Sequence, residues 1–167
     1  MYEIEKNDEI NRLIEITKSD SGINGAKLVQ AHRELGKQLA KAFVDLDPKD
    51  TTIVAIMKGA QFFANGIYEM LNCRYVQYNP KYEIFERPNT KNVILVDDVI
   101  NTGKTMEAIL DKDMYVACLV IQKEAVSKFD QQLYTIRVSN NFYVGTNVKE
   151  QKGDKGPDTT MRLFNQF

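Results

Sequence analysis

The stretch Asn92 to Thr105, NVILVDDVINTGKT, gathers more reactive chemistry than any other part of the chain. Its apolar run ends in Asp97 and Asp98, and two apolar residues later come Asn101, Thr102, Gly103, Lys104 and Thr105. Adjacent carboxylates accept hydrogen bonds from hydroxyls, or hold a hard divalent cation through oxygen. The loop asks for the opposite charge. Its backbone N–H groups, two threonine hydroxyls and helix N-terminus suit a phosphate.

Three readings of this pattern fail on spacing. A nucleotide-binding P-loop needs glycine five positions before Gly103, where Asp98 would instead face the phosphates. The run VILVDD also looks like the acidic start of a phospho-accepting receiver domain. Such a fold needs further strands and a distal aspartate, but the residues after Val93 run out into a polar tail. A glycosidase pair needs two carboxyls about 5 Å or more apart, flanking one bond. Neighbouring strand residues point to opposite faces, so Asp97 and Asp98 are not expected to flank one atom. What satisfies both halves is a ligand with a phosphate at one end and vicinal hydroxyls nearby, as in a ribose 5-phosphate. The aspartates would meet the hydroxyls directly or through a hydrated divalent ion.

These residues need a scaffold that delivers strand ends to one place. TTIVAIM, residues 51–57, is apolar and β-branched, as a strand buried on both faces should be. KGA breaks it, and QFFANGIYEML continues as a helix. CRYVQY, NVILVDDV and MYVACLVIQ (residues 114–122) read as further strands, with LYTIRV and FYVG as weaker ones and a helix from Gly103 to Leu110. Upstream, Asp8 to Thr17 and Ala26 to Val44 read as helices. In the second, Leu28, Leu35, Leu39 and Phe43 recur at spacings of seven, four and four. Strands alternating with helices predict an α/β fold, a parallel sheet core flanked by helices. Ligands in such sheets sit at the carboxyl ends of strands. Three strand ends here carry chemistry: Met57-Lys58-Gly59, the opening motif, and Gln122-Lys123.

Composition sets the outer limits. The chain has 167 residues, with 22 Lys plus Arg against 23 Asp plus Glu, a net charge of -1. That length fits one domain, residues 1–167, and the balance leaves no electrostatic footprint for nucleic acid or a membrane surface. Cys73 and Cys118 lie in apolar segments without metal-ligand spacing and read as buried thiols. The polar start MYEIEKNDEI is unlike a signal peptide, and no apolar run approaches a membrane span, so a cytoplasmic location is expected. His32, the only histidine, falls in the helical stripe region and reads as packed or surface-lying rather than catalytic.

VILVDDVINTGKT resembles the phosphoribosyl pyrophosphate (PRPP) signature of type I phosphoribosyltransferases: apolar residues, an acidic pair, two apolar residues, then a Thr-Gly-x-Thr loop. IVAIMKGAQFFANGIYEML is similar to the strand, pyrophosphate loop and helix of the hypoxanthine-guanine branch, and NNFYVGTNV to its purine-framing segment. The resemblance implies that fold, with a small hood built from the N-terminal and C-terminal segments. It also implies a Mg2+-dependent transfer of phosphoribose from PRPP to a nucleobase, a purine, with release of pyrophosphate, as in nucleotide salvage, and a homodimer.

Carried over by position, Asn101, Thr102, Gly103, Lys104 and Thr105 would hold the 5-phosphate, and Asp97 and Asp98 the ribose hydroxyls and the metal. Met57, Lys58 and Gly59 would form the pyrophosphate turn, where the family often has a cis peptide before the lysine. Phe142 would stack on the base with Tyr143 beside it, and Arg162 would reach pyrophosphate. The family's exocyclic-oxygen lysine falls at Gln122 or Lys123. Two departures stand out: Asn101 replaces an aspartate that manages a proton on the purine, and residues 79–91 leave only a short lid. The second reading is therefore a regulator that binds PRPP or a nucleotide without catalysis.

Overall fold

A computed structural model describes residues 1–141 and 158–166. Six parallel strands form one sheet: β1 (Tyr2–Glu3), β2 (Thr51–Ile56), β3 (Arg74–Tyr78), β4 (Asn92–Ile100), β5 (Tyr115–Gln122) and β6 (Leu133–Ser139). Their spatial order is β1-β6-β5-β4-β2-β3. The apolar runs account for this arrangement. All six residues of β2 are buried, as are seven of the eight in β5, because neighbours cover both faces. The expected strand FYVG lies outside the described residues.

Three helices cover one face: α1 (Asp8–Thr17), α2 (Gly25–Ala40) and α3 (Gln61–Leu71). The Asn7 side chain starts α1 by accepting a hydrogen bond from the Ile10 N–H at 2.8 Å, and Asp8 and Glu9 suit the positive end of the helix. The Leu28, Leu35, Leu39 and Phe43 stripe packs onto the sheet with each residue buried. Helix α2 itself ends at Ala40, and residues 41–43 tighten into a 3-10 turn before Pro48.

Helices α2 and α3 touch at backbone level. A Cβ on Gly36 would lie 2.1 Å from the Phe63 carbonyl oxygen, and one on Gly66 would lie 2.0 Å from that of Arg33. Each helix therefore presents a glycine to the other's main chain. This close approach keeps α3, and the turn in front of it, tight against the sheet.

The opposite face is covered more thinly, by Met106, Met114, Phe129 and the half-buried Phe85 and Ile109. The helix expected from Gly103 to Leu110 is here only α4 (Lys104–Glu107). Its last turn closes early, with the Ile109 N–H reaching back three residues to Met106 O at 3.2 Å. Beyond it Arg87 holds Asp111 and Asp113 at 3.0 and 2.9 Å, which commits those residues to a surface turn.

One irregularity crosses three strands. Asp97 pairs with Cys118 and Cys118 with Thr135, and pairing resumes at Val99, Val120 and Arg137. Asp98, Leu119 and Ile136 are passed over. As a result Leu119 and Val120, neighbours in sequence, both pack in the core under α2. Such local breaks in a ladder bend strands and re-aim side chains.

The glycine contact is testable. Gly36→Ala forces a methyl into the Phe63 carbonyl and is expected to cost about 2–3 kcal/mol through overpacking. Urea denaturation followed by circular dichroism measures it; an unchanged midpoint would show that the helices separate without penalty.

Candidate functional site

The chain leaves β2 outward to β3, then returns past β2 to β4 and continues through β5 to β6. Winding thus reverses between β2 and β4, and their carboxyl ends open a crevice. Both motifs singled out in the sequence emerge there.

After β2 comes the turn Met57-Lys58-Gly59. The Met57–Lys58 peptide bond is cis, as the resemblance implied. The Met57 N–H donates to Tyr78 O at 2.8 Å and the Ala60 N–H to Ile56 O at 3.2 Å, which fixes both flanks. Between them, the N–H groups of Lys58 and Gly59 are not engaged by any hydrogen bond among the described residues. A Cβ at Gly59 would lie 2.5 Å from Asp98 Oδ1, so only glycine lets the turn run directly under that carboxylate.

The acid pair is buried more deeply than a solvated strand end, with Asp98 5% exposed. Its members meet different neighbours, Asp98 the Gly59 turn and Asp97 the pocket of residues 101–105. The two carboxyls are near enough to influence one another's charge. Asp97 Oδ1 also accepts the Asp98 N–H at 2.9 Å. Burial pushes Asp97 well above the ordinary carboxylate range, and the neighbouring Asp98 charge pushes it further. Burial raises Asp98 too, while the hydrogen bond from Asp97 opposes that rise. Asp97 is therefore the member whose charged form is the more disfavoured.

Beyond β4, Asp97, Asn101, Thr102, Gly103, Lys104 and Thr105 line a concavity of about 180 Å3. Gly103 has φ +80, and a Cβ there would lie 2.8 Å from Phe129 Cζ, so two separate demands select glycine. Lys104 is exposed. Lys128, which the sequence did not mark, braces the loop: its Nζ donates to Thr102 O at 2.7 Å and to Glu107 Oε2 at 3.0 Å. Gly103 was the only sequence signal for Phe129, since a glycine in a loop asks what presses on it.

The remaining predicted residues divide. Gln122 is buried, and its Oε1 accepts the Glu124 N–H at 2.7 Å to start the next turn, whereas Lys123 is exposed at the end of β5. Phe142 and Tyr143 lie outside the described residues. Arg162 is where structure and expectation part. It sits in α5 (Thr159–Leu163), is 1% exposed, and donates to the carbonyls of Thr17, Lys18 and Ile23 at 3.1, 3.1 and 2.9 Å. Further bonds reach Ser21 Oγ and Asn24 Oδ1. A guanidinium so occupied ties the C-terminal helix to the α1–α2 link and is not presented to a pyrophosphate.

That same segment closes over the crevice. Asp158, whose side chain accepts the Met161 N–H at 2.7 Å, is near enough to raise Asp98 by its charge. Lys58 Nζ lies 5.2 Å from the centre of the Phe164 ring. His32, the lone histidine, is packed at 1% exposure, and burial, helped by the Arg162 charge, pushes it down to about 3. No group of three or more His, Cys, Asp or Glu side chains among the described residues could hold a metal by itself. Nor is any helix among them long and apolar enough to cross a membrane.

No protein-family model matches the chain. Over 63 residues, 33% of this chain, it is 40% identical to phosphoribosyltransferase domain-containing protein 1 of Xenopus laevis; the match spans 28% of that relative. Solved structures agree over far more of the chain. AQ2163 protein from Aquifex aeolicus superposes with a TM-score of 0.65 at 14% identity, covering 83% of this chain and 88% of that one. Adenine phosphoribosyltransferase from Trypanosoma brucei, in complex with AMP, pyrophosphate and ribose-5-phosphate, gives 0.56 at 16%, covering 82% of each. A hypoxanthine-guanine-xanthine phosphoribosyltransferase gives 0.53 at 15%, covering 78% and 90%. The chain has the type I phosphoribosyltransferase fold.

His32 makes one contribution to stability predictable. Its folded value lies below the unfolded one, so its stabilising effect is full above about pH 6.5 and is lost as pH falls toward 3. Between pH 7.5 and pH 5 this amounts to about 2 kcal/mol. Urea midpoints of the wild type and His32→Asn, compared at both pH values, should show a smaller acid loss in the variant; parallel losses would remove His32 as the cause.

Proposed function

We propose that this protein transfers phosphoribose from PRPP to a nucleobase, releasing pyrophosphate. The reading rests on one juxtaposition: the Lys58–Gly59 turn lies directly under Asp98, and Asp97 borders the loop pocket of residues 101–105. Phosphate, sugar hydroxyls and leaving group of a single PRPP molecule match these three neighbours in order. The adenine enzyme from Trypanosoma brucei, with AMP, pyrophosphate and ribose-5-phosphate, shows that this fold accommodates such ligands together in that protein.

Each part has a chemical task. Backbone N–H groups and hydroxyls of residues 102–105 fix the 5-phosphate, which holds the sugar in place for reaction. Asp97 and Asp98 accept hydrogen bonds from the ribose hydroxyls. The N–H groups of Lys58 and Gly59 meet charge that builds on the departing pyrophosphate, where stabilisation acts on the transition state. Lys123, exposed just beyond β5, is the side chain we assign to an exocyclic group of the base. Asp97 and Asp98, hard oxygen donors in β4, also fit Mg2+, which when bound would neutralise pyrophosphate charge.

A second reading, a PRPP- or nucleotide-binding regulator without catalysis, is favoured by residues 79–91. Phe85 packs edge-on against Tyr78 at 5.3 Å, and Arg87 is clamped by Asp111 and Asp113. A segment anchored at these points makes a poor closing lid. Asn101 points the same way, since an amide is no general base.

Mixing the protein with PRPP, Mg2+ and a panel of purine and pyrimidine bases separates the two. Pyrophosphate release that depends on a base is expected. Tight PRPP binding with no release for any base would establish the regulator, and no PRPP binding at all would end both readings. A companion variant, Asn101→Asp, is expected to raise release with hypoxanthine or guanine by about tenfold or more by restoring a carboxylate. A loss instead would show that position 101 reads the base rather than moving a proton.

A further inference from the structure

Between the two backbone bonds that fix its flanks, the turn Met57-Lys58-Gly59 has little of its own to hold it. The Lys58 carbonyl accepts the Gln61 N–H at 3.2 Å, while the N–H groups of Lys58 and Gly59 stay unengaged among the described residues. Gly59 brings no side chain, and glycine has the greatest backbone freedom of any residue. What remains is the Lys58 side chain, which runs to the C-terminal segment. Its Nζ lies 5.2 Å from the centre of the Phe164 ring and 3.5 Å from Gln166 Oε1. The negative face of an aromatic ring attracts an ammonium, and the amide oxygen adds an acceptor.

That platform is itself fixed from several directions. Phe164 packs on Phe62, in the first turn of α3, with 5.4 Å between ring centres. It therefore meets the chain on both sides of Gly59. The Gln166 N–H donates to Met161 O at 2.8 Å. Asn165, between them, has φ +53 and presses on the start of α2, where a Cβ at Gly25 would lie 2.6 Å from its Nδ2. Behind them stand the buried Leu163 and the Arg162 bonds to the α1–α2 link. A loose partner would follow Lys58 wherever it moved. This one is anchored elsewhere, so Lys58 comes to it.

We propose that Phe164, helped by Gln166, is a positioning residue: by holding the Lys58 side chain it aims the N–H groups of Lys58 and Gly59 before pyrophosphate reaches them. The inference rests on the phosphoribosyl transfer reading. Donors aimed in advance need no reorganisation when charge builds on a leaving group, whereas donors on a loose turn must be ordered at that moment. Neither Phe164 nor Gln166 is assigned a contact with the reacting atoms; both act through Lys58. The 101–105 loop has a separate brace in Lys128, so binding of the 5-phosphate serves as an internal control.

Calorimetric titration with pyrophosphate and with ribose 5-phosphate, each with Mg2+, tests this. Phe164→Leu keeps apolar bulk against Phe62 and is expected to weaken pyrophosphate about fivefold, leaving ribose 5-phosphate unchanged. Phe164→Tyr, which keeps the ring, should bind pyrophosphate as the wild type does. In a Lys58→Met background, Phe164→Leu should change pyrophosphate affinity by less than about twofold, because both residues act through one contact. Should Phe164→Leu lose its cooperative urea transition, Gln166→Ala carries the same test, with an expected loss of about twofold. Equal pyrophosphate affinity in these variants, equal loss for both ligands, or an undiminished effect in Lys58→Met would overturn the positioning role while the transfer reading stands. Failure of the wild type to bind either ligand would overturn both.

Discussion

Two carboxyls held side by side away from water repel one another, and much of this molecule is arranged to keep them so. The strand that carries them is apolar up to Val96, so nothing before Asp97 competes for their polar contacts. The ladder passes over Asp98, whose carboxyl lies against the Gly59 turn. Gly59 clears space for one of them. Burial raises both carboxyls, Asp97 the further of the two. The cost is a contribution to stability that declines as pH rises above the usual carboxylate range, because the folded pair binds more protons than the unfolded one. Ligand hydroxyls or a cation would supply what the protein withholds, so the site is poised toward binding by its own unfavourable electrostatics.

The scaffold around the pair was largely readable from residues. TTIVAI could only be a doubly covered strand, and QFFANGIYEML followed it as a helix. Elements held by long-range contacts were not readable. Strand β1 is two residues that pair with β6, more than a hundred positions away in sequence, and neither residue is apolar enough in pattern to stand out. Helix α4 stops after Glu107, and Arg87, from another part of the chain, pairs with Asp111 and Asp113 beyond it.

The candidate site divides along the same line. Asp97, Asp98, Gly59 and the 101–105 loop follow from local spacing at strand ends, and the structure brings them together. Period-two alternation misses the break at Asp98, Leu119 and Ile136, since a ladder irregularity spanning three strands leaves no mark in any one of them. Arg162 misled for another reason: its neighbours in sequence match a ligand-binding segment, while its charge is consumed by backbone carbonyls of the first helical hairpin. Phe164 and Gln166 are ordinary residues of the C-terminal segment until the fold sets them against Lys58.

The Arg162 bonds bridge 138 to 145 positions of sequence. A chain made from its N-terminus therefore offers the carbonyls of Thr17, Lys18 and Ile23 long before their donor exists. With translation at about 5–20 residues per second, several seconds pass in which the α1–α2 link is held only by local contacts. The helical layer can dock on the sheet during that interval, but the crevice cannot acquire its cover. Closure of the site thus follows docking of the helical layer, and a nascent chain remains open to ligand, or to a chaperone, until α5 has emerged.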